Sequence, residues 1–335
     1  MRSINILFVA SKGNKKNPSP IILNQIESLN NFNGFSIKIF GIGSGLVNYL
    51  KSIRSIRNSV NRTKYDLIHA HYGLCGIIAL FGKSSEKLVV SFMGDDLIGT
   101  VGKNRNYTLS SRIFAYVSKF LAKHCYDFVI VKSQNLFNTL EAKNNITIIP
   151  NGVNIIKFSP VQKEIAQSKL NLNKNTRYII FVSNPDRPEK NYKLAAKSVK
   201  MLNLRDLELL PVYNVSNDLL RYYYSAAECL VLPSFHEGSP NVIKEAMACN
   251  CPIVATNVGD VEYVFGDTEG CYISSYDPKV FSEKINQALN FAETKGRTNG
   301  RERILELGLD SESIAQKLIA VYKKVLANKN KKVNK

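Results

Sequence analysis

No stretch of this 335-residue chain approaches the roughly 18 to 20 uncharged apolar residues of a membrane-spanning helix, so a conventional transmembrane segment is excluded. The N-terminus passes from Met1-Arg2-Ser3 straight into a β-branched apolar run, without the apolar block and cleavage site of a secretory signal, and a cytoplasmic location is expected. Six cysteines, at 75, 125, 229, 249, 251 and 271, form neither CxxC pairs nor a cluster with histidine at zinc spacing. They are expected to be buried free thiols, and no metal centre is expected. Acidic residues are few, 27 against 45 Lys and Arg, which leaves a net charge of +18. The imbalance is local: residues 1–160 hold 20 basic and 7 acidic side chains, and Lys323 to Lys335 hold six lysines and no acid. Such a surface suits an anionic membrane, a phosphorylated ligand or a nucleic acid, or serves solubility alone. Nucleic acid is not expected, because there is no helix-turn-helix, zinc finger or aromatic RNA-binding signature.

What is present is a composition of 44% hydrophobic and 21% charged residues, that of a folded chain long enough for two domains. Short apolar runs recur at 4–10, 35–41, 66–72, 88–92, 127–132 and 146–150, and a second series follows at 178–183, 207–212, 228–233, 252–256 and 271–274. Segments with helical spacing separate them, and alternating βα units of continuously apolar strands predict parallel sheets covered by helices on both faces. The expected organisation is α/β, with a first domain over 1–160, a linker with a short helix in 160–176, and a second domain over 161–310. A C-terminal helix follows over 311–327, with the first domain as its candidate partner, and then a frayed basic tail over 328–335. Ligands of open parallel sheets bind beyond the carboxyl ends of the strands, so two facing domains would enclose theirs in a deep cleft between them.

The segment "PSFHEGSPNVIKEAMACNCPIVATNVGDVEYV" (233–264) concentrates the chemistry. An apolar strand leads into a glycine-bearing loop. Pro240 fits the first turn of the following helix, with Ser239 as its expected N-cap. The free N–H groups of that helix start favour phosphate. Glu245, in the second turn, leans back toward the N-terminus, where its carboxylate can meet a diol, and Glu237 stands in the loop on the other side. Taken alone, Glu245 is an ordinary solvated helix residue. The stretch "NPDRPEKN" (184–191) likewise follows a strand and opens a helix, presenting the forked guanidinium of Arg187 and the ammonium of Lys190, which are either phosphate ligands or plain surface charges.

The spacing from Glu237 to Glu245, in this context, closely resembles the signature of the retaining glycosyltransferases of family 4, whose GT-B architecture is two facing Rossmann-like domains. "IIPNGVN" (148–154), "FVSNPDRPEKNYKLA" (181–195), "HAHYGLCG" (69–76) and "VVSFMGDDL" (89–97) agree in the right order, so the likeness spans nearly the whole chain. Within the family, "NPDRPEKNYKLA" and "HAHYGLCG" look most like bacterial enzymes of teichuronic acid and related surface-polysaccharide synthesis. The resemblance implies a UDP-sugar or other nucleotide-diphosphate-sugar donor, a glycan or lipid-linked acceptor, and no required metal or other cofactor. It implies that Glu245 binds the ribose hydroxyls. Glu237 would hold the donor sugar together with the backbone of Gly238 and Ser239, Pro240 and Asn241 would complete the donor loop, and Arg187 and Lys190 would grip the diphosphate.

The chain departs from the family's pattern where Met93 replaces a first-domain histidine that contacts the donor sugar. His71, at a strand end, is either a substitute for that contact or a satisfied structural histidine. Asp96, near Met93, is the other candidate contact. The loop "KGNKKNPSP" (12–20) lacks the family's double glycine, and its three lysines are candidates to face an anionic acceptor.

Rival motifs are weaker. Gly41, Gly43 and Gly45 have the wrong spacing for a dinucleotide fingerprint, since Leu46 stands where the third glycine belongs, and they predict a tight turn. Asp95 and Asp96 are adjacent, whereas a metal-binding aspartate pair has one residue between. Residues 110–127 set Arg112, Lys119 and Lys123 against Ile113, Phe114, Val117, Phe120 and Leu121. That pattern suits either an anionic membrane surface, with peripheral attachment to the inner face of the plasma membrane, or a core-packing helix with a basic edge. Two other functions are open on the sequence: a sugar-nucleotide epimerase of the same architecture, and a non-catalytic basic binder of membrane or nucleic acid.

Overall fold

A computed structural model describes residues 3–13, 17–99, 108–140 and 145–333, with side chains through 327. The chain forms two compact units, Met1–Gly152 with Ser311–Lys335, and Val153–Asp310.

Unit 1 holds strands β1 (Ile4–Gly13), β2 (Phe35–Gly43), β3 (Leu67–His71), β4 (Lys87–Ser91), β5 (Phe128–Val131) and β6 (Ile146–Ile148) in one parallel sheet of order β2-β1-β3-β4-β5-β6. Unit 2 holds β7 (Arg177–Phe181), β8 (Leu207–Pro211), β9 (Cys229–Leu232), β10 (Ile253–Thr256) and β11 (Cys271–Ser274) in a second parallel sheet, order β11-β10-β9-β7-β8. All eleven expected strands are present, because central parallel strands are covered on both faces and must be apolar at every position. The segments β3, β5, β9 and β10 are buried throughout. The architecture is GT-B-like α/β, two Rossmann-like units. In each order the chain turns once to build outward on the other side, between β1 and β3 in unit 1 and between β7 and β9 in unit 2. The carboxyl ends of strands at such a switch point are where open sheets bind ligands.

The boundary falls at Gly152/Val153, before the expected 160. Val153 and Asp310 form a parallel bridge, with the Val153 N–H donating to the Leu309 carbonyl at 3.0 Å, so the chain enters and leaves unit 2 side by side. Arg301 fastens the entering strand by donating from Nη1 to the carbonyls of Ile155 (2.8 Å) and Phe158 (3.0 Å). The polar stretch after residue 160 folds onto unit 2: it carries a short helix, Lys163–Lys169, and Lys163 pairs with Glu228. The C-terminal helix, Ser311–Val333, belongs to unit 1 and continues through most of the expected frayed tail. Asn24 Nδ2 donates to Ser311 Oγ at 2.8 Å, and the buried Tyr322 hydroxyl bonds His69 Nδ1 at 2.7 Å, while His69 Nε2 bonds Ser91 Oγ at 2.8 Å. Gly41 and Gly43 lie in β2 and not in the expected turn, and only Gly45, at φ +91°, lies beyond the strand, where it caps the helix Leu46–Arg62. The six cysteines are free thiols, with Cys125 and Cys271 only partly buried.

His69 and His71 are both buried on β3, their rings 4.2 Å apart, with Phe8 against each. Burial, then the charge of Lys132, pushes His71 from the usual 6.5 down to about 3, and burial likewise lowers His69. The folded state holds both neutral, whereas the unfolded chain takes up protons below about 6.5, so this contribution to stability is complete above that pH and is lost progressively as pH falls toward 3. The urea midpoint of unit 1 should therefore drop between about pH 7 and pH 5, and His71→Phe, which removes one titrating ring, should flatten that dependence; equal slopes in the two proteins would contradict the assignment.

Candidate functional site

At the switch point of unit 2, the segments after β7 and β9 lie together. After β7 comes a single 3₁₀ turn, Pro188–Lys190, and then Asn191 in the left-handed conformation at φ +54°, which lets the helix Tyr192–Leu202 start at once. The Asn191 side chain donates to the Pro233 carbonyl at 3.1 Å, and the Phe235 N–H donates to the Glu189 carbonyl at 2.9 Å. These bonds lash the turn to the loop after β9. The hydroxyls of Thr256 (2.6 Å) and Tyr276 (3.3 Å) hold the Ser234 carbonyl from the far side.

Across this seam Lys190 Nζ meets Glu237 Oε1 at 2.5 Å, with both side chains largely shielded. Arg187 is more exposed and pairs with Glu189, Nη2 to Oε1 at 2.6 Å. The structure thus joins Lys190 directly to Glu237, and Arg187 indirectly, through the Glu189 backbone bond to Phe235.

The loop Glu237-Gly238-Ser239 is fixed from beneath. Ser239 Oγ donates to Asp260 Oδ2 at 2.5 Å and accepts from Lys244 Nζ at 2.5 Å, and Lys244 Nζ lies 3.8 Å from Asp260 Oδ2. Lys244 is fully buried, and desolvation lowers its pKa against the opposing pull of Asp260 and Glu245. The helix begins one residue later than expected, Asn241–Ala248, with Pro240 as its extended N-cap (φ −70°, ψ 121°). Ser239 is not the N-cap, because its hydroxyl belongs to the Lys244–Asp260 bridge. Gly259, at φ +62°, packs under the loop, where a Cβ would stand 2.6 Å from the Gly238 carbonyl oxygen. The N–H groups opening the helix have no intrahelical acceptor.

Glu245 stands in the second turn and accepts from the Tyr224 hydroxyl at Oε2, 2.8 Å. Burial raises its carboxyl from 4.5 to about 7, opposed by the Tyr224 bond and by Lys244 and Lys157. Tyr224, Lys244, Asp260 and Gly259 escaped the sequence analysis. Of these, only the Gly-Asp pair after β10, at a strand-to-helix turn, carried a local signal.

In unit 1, β1 and β3 pair with Ala10 opposite His71, placing His71 at the carboxyl end of the switch point. Its ring is 1% exposed, and neither nitrogen has a hydrogen-bond partner among the described residues, so it is not a histidine satisfied by them. Asp96 is also fully buried. Its Oδ2 accepts from the Gly73 N–H at 2.8 Å and its Oδ1 from the N–H groups of Gly94 (2.9 Å) and Met93 (3.0 Å). Burial raises this carboxyl to about 6 against those bonds. Asp96 therefore ties the Met93 loop to the start of helix Gly73–Gly82, and the expectation that it contacts a ligand is corrected to a fastening role. Of the lysines in the 12–20 loop, only Lys12 lies within the described residues. Among the described residues no group of three His, Cys, Asp or Glu could hold a metal ion, Asp95 and Asp96 included.

Comparison with known proteins fits this geometry. A family profile described as Glycosyltransferase Family 4 matches residues 9–157, and one described as Glycosyl transferases group 1 matches residues 163–290. TuaC of Bacillus subtilis, named as a teichuronic acid biosynthesis glycosyltransferase, is 25% identical over 247 residues, 66% of this chain and 61% of TuaC. Glycosyltransferase MJ1178 of Methanocaldococcus jannaschii is 26% identical over 313 residues, 84% of this chain and 79% of that protein. A UDP-Gal:alpha-D-GlcNAc-diphosphoundecaprenol alpha-1,3-galactosyltransferase of Escherichia coli is 22% identical over 248 residues, 64% of this chain and 63% of that one. The chain thus spans about three fifths of the first and third of these relatives. In fold it is similar to sucrose-phosphate synthase of Thermosynechococcus elongatus, with a TM-score of 0.78 at 20% identity over 97% of this chain and 100% of that one. Anabaena HepE in complex with UDP-glucose gives 0.72 at 16% identity, over 96% and 100%.

Removing one member of the buried bridge should be costly. Lys244→Met strands Asp260 and should lower unfolding stability by about 3–5 kcal/mol, and adding Asp260→Asn should return part of the loss. Chemical denaturation of the two single variants and the double variant measures the coupling, and additive losses would show that the bridge is not one unit.

Proposed function

We propose, from the premise that this chain belongs to the family 4 glycosyltransferases, that it moves a sugar from a nucleotide-diphosphate donor, most simply a UDP-sugar, to an acceptor in polysaccharide or lipid-linked glycan synthesis, with retention at the anomeric carbon and without a required metal. The observation that carries the reading is the Lys190–Glu237 pair: a cation suited to phosphate and a carboxylate suited to sugar hydroxyls, 2.5 Å apart at the switch point of unit 2 and beside a helix start.

In the absence of donor the two neutralise each other. A bound pyrophosphate would draw Lys190 to itself, release Glu237 to the sugar hydroxyls, and recruit Arg187 from Glu189. Gly238, Ser239, Pro240 and Asn241 would then present backbone rather than side chains to the donor, since the Ser239 hydroxyl is held by Lys244 and Asp260. Glu245, already partnered by Tyr224, would accept from the ribose hydroxyls.

In the transfer, the bond from the anomeric carbon to the phosphate oxygen breaks with its electron pair passing to that oxygen. The acceptor oxygen bonds the anomeric carbon from the same face, and its proton goes to the departing phosphate. Fixed cations stabilise the charge gathering on the leaving group more than they stabilise the ground state. Lys190→Ala should therefore raise the barrier by about 2–4 kcal/mol, lowering kcat on the order of 30- to 900-fold, with the fold intact by circular dichroism. A kcat near wild type would remove Lys190 from the mechanism.

The binding half of the proposal has its own test. In a thermal-shift panel of UDP-, GDP- and ADP-sugars, at least one donor should raise the melting temperature, and Glu245→Ala should abolish most of that shift. Failure of every donor to stabilise the wild type would overturn the reading, and a full response by Glu245→Ala would overturn the ribose assignment.

A further inference from the structure

Strand β2 is the edge of the sheet in unit 1, and the helix Leu46–Arg62 that follows it covers that edge incompletely. Ser52, Ile56 and Val60 are turned inward and buried. The neighbouring stripe, Ser55, Asn58, Ser59 and Arg62, has helical spacing and is polar throughout. Between this stripe and β2 lies an open pocket of about 420 Å³, within the roughly 300–1,000 Å³ of small-ligand sites. Its deep part is apolar, made by Leu7, Phe40 and the ring of Tyr65, which belong to the core of the unit. Lys38 and Arg62 stand at its exposed rim. Lys38 is the fourth residue of β2, paired with Leu7, the fourth of β1, and Tyr65 precedes β3. The pocket therefore sits over the amino-terminal half of these strands, away from the carboxyl ends where His71 and Met93 lie.

The pocket holds polar groups with nothing to bind. Tyr65 is only 6% exposed, yet its hydroxyl has no hydrogen-bond partner among the described residues. A buried phenol is ordinarily satisfied. The side chains of Asn58 and Ser59 are likewise unengaged, while Ser55 Oγ donates to the Lys51 carbonyl at 3.1 Å. Among the described residues neither Lys38 nor Arg62 has an ion pair, and no acidic side chain lines the pocket. Two free cations favour a negative group. The polar stripe ends at a helix C-terminus, however, whose partial negative charge disfavours a bare inorganic anion. A fitting ligand has its charge at one end, hydroxyls along its edge and an apolar face, and a pyranose that bears a carboxylate or a phosphate combines the three.

We infer that this pocket binds one anionic sugar unit. The ring lies on the floor of Leu7, Phe40 and Tyr65, its hydroxyls meet Asn58, Ser59 and the Tyr65 hydroxyl, and its acidic group lies between Lys38 and Arg62. A residue of an acidic glycan chain and a free sugar phosphate present this same chemistry. Binding here makes and breaks no bond, needs no nucleotide donor and stands apart from the transfer chemistry.

The test uses the full chain without donor and follows glucuronate, glucose 6-phosphate and glucose by saturation-transfer NMR. The two anionic sugars should bind, and glucose should bind about tenfold more weakly. Lys38→Gln/Arg62→Gln should abolish that preference. Tyr65→Phe, which deletes one hydroxyl and keeps the ring in the core, should weaken binding of the anionic sugars about fivefold. A melting temperature that is not lowered verifies that the variants fold. Saturating UDP should leave the binding unchanged, so this inference and the proposed donor site fail separately. Tighter binding of a linear hexauronate than of glucuronate assigns the pocket to a glycan chain, and tightest binding of glucose 6-phosphate assigns it to a free sugar phosphate; both bear the inference out. No binding of either anionic sugar, displacement by UDP or by inorganic phosphate at equal concentration, or affinity indifferent to both variants would each overturn it.

Discussion

A lysine ammonium taken out of water must find compensation, and in this protein the compensation for Lys244 sets the geometry of the candidate site. Its partners are one hydroxyl and one carboxylate, and both belong to segments that must be held still. Ser239 lies in the loop that follows β9, and Asp260 caps the helix Val261–Phe265 after β10. The bridge therefore joins the carboxyl ends of two neighbouring strands. With Gly259 filling the space beneath the Gly238 carbonyl, it leaves the loop little freedom to sag. A loop held this way can carry Glu237 toward Lys190. An apolar residue at 244 would pack the helix as well, so the charge is better understood as a fastener for the loop than as a source of stability.

The same economy, with the sign of the charge reversed, governs Glu245. It sits one residue along the same helix, and its carboxyl is pushed up to about 7 because burial outweighs the help of Tyr224, Lys244 and Lys157. A carboxyl so placed gains from any further hydrogen bond that favours its charged form. At both residues burial outweighs the partners, which are Ser239 and Asp260 for Lys244 and the Tyr224 hydroxyl for Glu245.

The sequence made the sheets legible because parallel central strands are apolar at every position, and eleven such runs can hardly be mistaken. It also exposed Glu237, Glu245, Arg187 and Lys190, since each lies within a few residues of a strand end or helix start. What escaped was set by distance along the chain. Tyr224 reaches Glu245 from 21 residues away, and Asp96 reaches Gly73 across 23. Lys244 was invisible for another reason: beside a glutamate in a short helix, it has the pattern of a solvated surface pair. Ser239 and Asp96 were misjudged because a polar side chain in a loop is equally able to bind a ligand or to hold its own backbone. The domain boundary was placed at the polar stretch after residue 160. Polarity there reflects an exposed crossing over unit 2, whereas the actual division is marked by a backbone bridge, Val153 with Asp310, that no composition reveals.

The same contrast explains why the helix Leu109–His124 could not be assigned before its surroundings were known. An amphipathic pattern states that a helix has an apolar side, but not what covers it. Here the side facing the unit is made of Ala115, Ser118 and Ala122 with the partly buried Leu121, while Ile113, Tyr116 and Phe120 are left exposed. Unit 1 is basic and unit 2 neutral. Basic residues are nearly as frequent in unit 2 (19 of 158) as in unit 1 (26 of 177), so the contrast lies in the acids, 19 against 8.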